Sequence, residues 1–322
     1  MSGFKRDRSG HAKRHHDGPK QGGAPKPVVR NAYTPMFERF RDELDEHHDR
    51  RERIIKASRD ITALSKKIIF SLQRVRKIDG DIPQDIAKEM NARLNEIAKL
   101  LAIIGPETQG INRHRYAYSL RCLEELVEAL SFAHYLKTQS LVSMDELTSV
   151  TDDLARKGAA AEDEAMADAD DDHRGAAEGH SKADAASGDP PATAAPQNAS
   201  PPPTVQLTEY DYIYGLFDLS GEMMRFATTT TALTGELATS SSAEGGLPGS
   251  RPRTIVRDMQ DLGSLFEMLP QQRNKTWDGK MGVLRASVAK VERLGYGITV
   301  RGSEREKGWV PDMRDEEPGS PE

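Results

Sequence analysis

Two pairs of acids stand at helical spacing in this chain. Glu125 and Glu128 are three residues apart in EELVEALSF, and Asp218 and Glu222 are four apart in DLSGE. On a helix each pair projects from one face. Two helices that each present such a pair can build a carboxylate metal site between them. A donor set made only of oxygen, with no accompanying Cys, favours Mg²⁺ or Mn²⁺ over zinc. An ion held in this way would activate a water molecule and offset charge on a phosphate. The same spacing also suits a solvated surface. Arg121 precedes Glu125 by four residues and could simply pair with it. Periodicity leaves both readings open. Glu124 projects about 100° away from its neighbour and reads as surface. Gly215 shares the face of Asp218 and Gly221 borders it, which would let a ligand or another backbone come close.

The elements that must position these acids are helical. Thr34-Pro35 is a start signal. From it, apolar residues recur at helical intervals from Phe37 to Val75. The spacing predicts one helix of about 40 residues, about 60 Å long, with EHHDRRER as a break or an exposed stretch. A turn at Asp79-Gly80-Asp81-Ile82-Pro83 leads to a second helix ending at Gly105-Pro106. A third is expected from Gln109 to Leu141, with Leu120, Leu123, Leu126, Val127 and Leu130 as its apolar stripe opposite Glu125 and Glu128. Ser143 and Glu146 form a capping box that opens a short fourth helix. An amphipathic helix follows from Thr208 to about Leu233, then helical spacing over residues 255–269 and 277–296. No segment alternates like a strand. The fold class is therefore all-α, an antiparallel bundle of long helices.

Composition divides the rest. The net charge of −6 is an average over unlike segments, so it excludes no nucleic-acid partner. Residues 1–32 form a basic tail expected to be disordered. Its pairs Lys5-Arg6 and Lys13-Arg14 suit a bipartite nuclear import signal, or a solvated tail that touches nucleic acid non-specifically. Residues 152–204 are rich in Ala, Asp, Gly and Pro and are read as a disordered acidic insertion. Residues 238–253 read as a flexible loop, and residues 304–322 as a disordered tail. The helical domain thus spans residues 33–303, interrupted by the insertion and the loop. The single cysteine, Cys122, excludes an internal disulfide framework and a Cys-based zinc finger. On the apolar side of its helix it reads as core filler, and His134 likewise reads as a core histidine. No run of about 18 apolar residues spans a membrane, and the basic start lacks the apolar region of a secretory signal.

Four segments together resemble a known family: HDRRERIIKASRDITALSKKIIFSLQRV, YAYSLRCLEELVEALSFAHYLKTQSLVSMDEL, YIYGLFDLSGEMMRFA and VAKVERLGYGITVRGSE. In that order they look like the landmarks of the translin-associated factor X (TRAX) branch of the translin family. The resemblance covers roughly residues 33–151, 205–235 and 255–303. The acidic insertion and the SSSAEGG loop are longer than the family usually shows. The resemblance implies an all-α bundle that assembles with its paralogue translin into a closed hetero-octameric shell. It implies a Mg²⁺-dependent endoribonuclease acting on single-stranded RNA, working in nucleus and cytoplasm. The family's catalytic acids fall on Glu125, Glu128 and Asp218, which would hold the metal, with Glu222 as the further ligand.

Single-stranded RNA, or single-stranded DNA, needs cations along its backbone and aromatic faces for its bases. INRHRYAYSLR offers Arg113, Arg115, Tyr116 and Arg121 leading into the acids, and the first helix adds Arg50, Arg51, Arg53, Lys56 and Arg59. The competing reading is a non-catalytic, nucleic-acid-binding adaptor whose bundle surfaces recruit translin and nuclear proteins.

Overall fold

The structure is a computed structural model that describes residues 30–174, 204–239, 253–270 and 272–301. The tail with its Lys5, Arg6, Lys13 and Arg14 lies outside the described residues, as do residues 302–322. Eight α-helices are described: α1 (Thr34–Leu72), α2 (Gln84–Ile104), α3 (Ile111–Arg115), α4 (Cys122–Thr138), α5 (Met144–Arg174), α6 (Glu209–Thr234), α7 (Ile255–Met268) and α8 (Lys275–Arg301). Among the described residues there is no strand, only one isolated bridge between Thr239 and Thr254. The fold is the expected all-α bundle of long helices. No helix among the described residues is long and apolar enough to cross a membrane.

Residues 1–47 and 48–322 are separate units. In the first, the opening of α1 leaves Tyr33, Phe37, Phe40 and Leu44 exposed. The cap there is Asn31 rather than Thr34. Its Oδ1 accepts from the backbone N–H groups of Tyr33 at 2.9 Å and Thr34 at 3.0 Å, two donors that the first turn of a helix leaves without partners. Residues 46–53 are helical and mostly exposed, as EHHDRRER allows.

In the second unit, α1 buries Ile54, Ile61, Leu64, Ile68 and Leu72 along one stripe, while α4 is buried on nearly every side. Leu123, Leu126, Val127, Ala129 and Phe132 are all fully buried. Contrary to the one-sided stripe expected from the sequence, Glu128 is therefore itself buried. Helix α6 packs against α4, α7 and α8, and α2 packs against α5. Both α5 and α6 open on capping boxes. Ser143 and Glu146 make one, Thr208 and Asp211 the other.

Two boundaries differ from expectation. The third helix is broken. Gly110, at a left-handed φ of 57°, starts the five-residue α3; Tyr116 then leaves the helix, a 3₁₀ turn covers Ala117–Leu120, and α4 begins only at Cys122. Arg113, in α3, and Tyr116, at the break, are both buried. The insertion does not begin at residue 152. Helix α5 continues to Arg174, because alanine-rich sequence is intrinsically helical and Ala155 is buried. Gly158 lies so close to α2 that a Cβ there would collide with the Ala98 carbonyl. Residues 175–203 lie outside the described residues. Of the loop 238–253, only its ends are described. Ala238 is buried and accepts a hydrogen bond from the Ile255 N–H at 3.1 Å.

Candidate active site

Helices α4 and α6 are brought together at the acids by Gly215. A Cβ at that position would stand 2.8 Å from the Glu124 carbonyl oxygen and collide with Val127. The close approach foreseen for this glycine is that of another backbone. Gly221, one and a half turns on, faces open space.

All four acids singled out in the sequence line one cavity of about 420 Å³. Lys66 and Phe70 of α1, Gln73 just past its end, and Arg225 of α6 also face it. Three of the acids have partners. Lys66 approaches Glu125 at 3.3 Å, and Gln73 donates to Glu222 at 2.7 Å, with Arg225 at 3.6 Å from the same carboxylate. Lys280, from α8, donates to both oxygens of Asp218 at 2.7 Å and to the Tyr214 carbonyl at 3.3 Å. Glu128 is the exception. It is buried and makes no hydrogen bond or ion pair among the described residues. Burial, followed by the charges of Asp218, Glu125 and Glu222, pushes its carboxyl up to about 8.

That environment is the test of whether a divalent ion fits. A buried carboxylate facing three others is stabilised by a cation of higher charge than a lysine supplies. The oxygen-only donor set suits Mg²⁺ or Mn²⁺. As they stand, no three of the acids among the described residues are close enough to share one ion. Lys280 and Lys66 hold two of them instead. The residues fit the ion in chemistry, with Asp218 and Glu125 committed to lysines.

A second cavity of about 400 Å³ adjoins the first through Glu125 and Asp218. It is lined by Ser58, Arg59, Thr62, Arg121, Glu124 and Lys280. Glu124, expected at the surface, is largely buried there. Burial raises its carboxyl, and Arg121, at 3.3 Å, opposes the rise. Arg121 thus pairs with Glu124 and not with Glu125, because α4 starts only after it.

Two of the expected RNA contacts are corrected. Arg113 is buried, forms an ion pair with Asp211 and donates to the Gln206 carbonyl at 2.7 Å, so its guanidinium is spent inside the fold. Tyr116 is only 4% exposed and offers no face for a base. Arg115 is exposed, 3.3 Å from the Asn112 side chain, on α3 and not on the helix of the acids. Of the basic residues of α1, Arg50 and Arg53 pair with Glu107. Cys122 is buried with its thiol pushed up to about 12 by desolvation, so it is inert filler. His134 is half-buried and bonds Ser140 at 3.1 Å.

The sequence reading missed Lys66, Gln73 and Lys280. The first two had a signal: Lys66, Phe70 and Gln73 recur at helical spacing along and just past the end of α1. Lys280 had none, since it meets Asp218 across 62 residues of chain.

Comparison with known proteins gives concordant relatives. The family model described as Translin family matches residues 49–302. Translin-associated protein X of Pongo abelii is 28% identical over 291 residues, covering 88% of this chain and 85% of that protein. The Rattus norvegicus protein of the same name is 28% identical over 282 residues, covering 86% and 82%. The Schizosaccharomyces pombe homolog is 24% identical over 271 residues, covering 84% and 89%. Among solved structures, one described as the crystal structure of apo-NeC3PO covers 84% of this chain and 97% of its own, at 14% identity and a TM-score of 0.48. With the family model matched over most of its length, this chain belongs to the Translin family.

Proposed function

We propose that the chain is the catalytic subunit of a metal-dependent endoribonuclease that cleaves single-stranded RNA in assembly with translin. The observation that carries the reading is the cavity where carboxylates of two helices converge on Glu128, buried without a cation. The name of the relatives, translin-associated protein X, supports translin as the partner. Glu125, Glu128, Asp218 and Glu222 would hold Mg²⁺ or Mn²⁺. Such an ion supplies a Lewis acid for the phosphate and lowers the pKa of bound water.

The remaining roles belong to the chain. Gln73 fixes the Glu222 carboxylate by donating to it, and Lys66 does the same for Glu125. Glu128, its carboxyl held up to about 8 by burial and the neighbouring acids, would release its proton in holding such an ion. Phe70, 69% exposed at the cavity, is an aromatic face beside the acids. We extend the proposal to both nucleus and cytoplasm, with the two basic pairs at Lys5-Arg6 and Lys13-Arg14 as the import signal. Replacing all four by Ala should leave a tagged chain cytoplasmic; nuclear signal retained by that variant would reject it.

The test is cleavage of a labelled single-stranded RNA by the chain co-purified with translin, in Mg²⁺ and in EDTA, beside Glu125→Ala/Glu128→Ala. Loss of two or more orders of magnitude with either change, at unchanged assembly, is expected on the scale of lost metal ligands, roughly 10²-fold or more. A second reading has its own observation: lysines already neutralise Asp218 and Glu125. If the assembly binds RNA or single-stranded DNA but cuts under no metal condition, the chain is the non-catalytic adaptor of translin.

A further inference from the structure

The second cavity is absorbed by nothing above. Its cations are of three kinds. Arg59 is exposed and takes part in no ion pair among the described residues. Arg121 has a side chain 58% exposed and makes one contact with Glu124. Lys280 is 17% exposed in its side chain and is given wholly to Asp218 and the Tyr214 carbonyl, with its ammonium 5.4 Å from the Tyr214 ring centre. Ser58 and Thr62 add hydroxyls one turn apart on α1. Against these stand Glu124, Glu125 and Asp218.

The balance of that cavity depends on its neighbour. Glu125 and Asp218 belong to both cavities. When they hold a divalent cation, their charge is directed to the ion, and Asp218 no longer needs an ammonium. Lys280 then joins Arg59 as a cation with no acid of its own, beside Arg121 with its single contact to Glu124. We propose that this cavity is a phosphodiester subsite for the nucleotide next to the one being cut, and that Lys280 passes from Asp218 to that phosphate when the cation enters. The inference rests on the metal-site reading. It makes cation and RNA binding cooperative, since each removes a cost to the other.

The test uses the full chain assembled with translin and two probes. The first is Mn²⁺ alone, titrated by electron paramagnetic resonance against wild type, Asp218→Asn and Lys280→Met. The second is a phosphorothioate single-stranded RNA carrying a fluorophore, titrated by anisotropy across a salt series with Mn²⁺. Lys280→Met should bind Mn²⁺ several-fold more tightly without RNA, because its competitor for Asp218 is gone. The same variant should bind RNA more weakly, with a log–log salt slope shallower by about 0.7–1. Arg59→Met, exposed and without a packing role, should lower the slope alike while leaving Mn²⁺ affinity unchanged. Lys280→Arg should restore the RNA slope, and Arg285→Met, outside both cavities, should change nothing. A Lys280→Met chain that gains no Mn²⁺ affinity, or Arg59 and Lys280 variants with the wild-type slope, would overturn the subsite. If wild type binds no Mn²⁺ that Asp218→Asn abolishes, the metal site itself is wrong and the exchange falls with it.

Discussion

Acids are buried among the described residues in two opposite ways. Asp258, in α7, accepts from the Tyr135 hydroxyl and the Gln139 amide, each at 2.7 Å, and pairs with Arg253. Asp211 likewise caps α6 with Thr208 and pairs with Arg113. These acids are built into the fold: each has several donors, an arginine among them, as a buried charge requires. Glu128 has none, and its nearest charges are negative. A structural acid comes with its cation in the same chain. Glu128 departs from that rule, and the proposed metal site rests on the departure. Tyr135 shows the same rule from the other side, its ionisation opposed by burial and then by Asp258.

The contrast can be broken by removing one acid from each place. Asp258→Ala strips Tyr135, Gln139 and Arg253 of their common acceptor and should cost about 3–5 kcal/mol, the range for breaking a buried pair. Urea unfolding measures it, and a loss below 1 kcal/mol would place Asp258 among the dispensable surface pairs. Glu128→Gln should do the reverse. In the unfolded chain a glutamate loses its proton near the ordinary value of 4.5, whereas in the folded, metal-free chain Glu128 keeps it up to about 8. Between those values the folded state binds more protons, so stability falls as pH rises. Melting temperatures in EDTA at pH 5 and pH 8 should therefore drop for wild type relative to Glu128→Gln, with the variant the more stable at pH 8. Mn²⁺ should close the gap at pH 8 by stabilising wild type more. Parallel curves for the two proteins would mean that Glu128 is solvated after all.

Which parts of this were legible in the sequence follows from the range of the interactions. The helices, the capping box at Ser143, and the pairing of Glu125 with Glu128 and of Asp218 with Glu222 rest on residues within four of one another, where periodicity speaks. The burial of Arg113 was hidden because its partner, Asp211, lies 98 residues away. The same distance blindness made Arg113 and Tyr116 look like RNA contacts: a basic and aromatic run reads alike whether it faces solvent or core. The extension of α5 past residue 152 was hidden by composition, since alanine and acids favour helix and disorder alike. Gly215 was half legible. Its position on the acid face was plain, but that a carbonyl of α4 fills the space was not.

Gly215 and Arg225 sharpen the comparison at smaller scale. Gly215→Ala drives a methyl into Val127 and the Glu124 carbonyl, backbone that cannot give. The cost of overpacking, about 1–3 kcal/mol, should come with lowered Mn²⁺ affinity, because the helices carrying the two acid pairs are forced apart. A variant that loses stability but keeps its affinity would show that the acids tolerate the separation. Arg225 tests the opposite limit. Its side chain is 58% exposed and 3.6 Å from Glu222, a pair worth about 0–1 kcal/mol, so Arg225→Ala should leave the urea midpoint almost where it was. Yet Arg225 faces the acid cavity and offsets part of its charge. Removing it should tighten Mn²⁺ binding slightly, by about two- to threefold if the pair contributes half a kcal/mol or so. A fold-stabilising arginine would behave the other way round, moving stability and leaving the ion alone; that outcome would put Arg225 with Arg113 and Arg253 rather than with the cations that an incoming metal displaces.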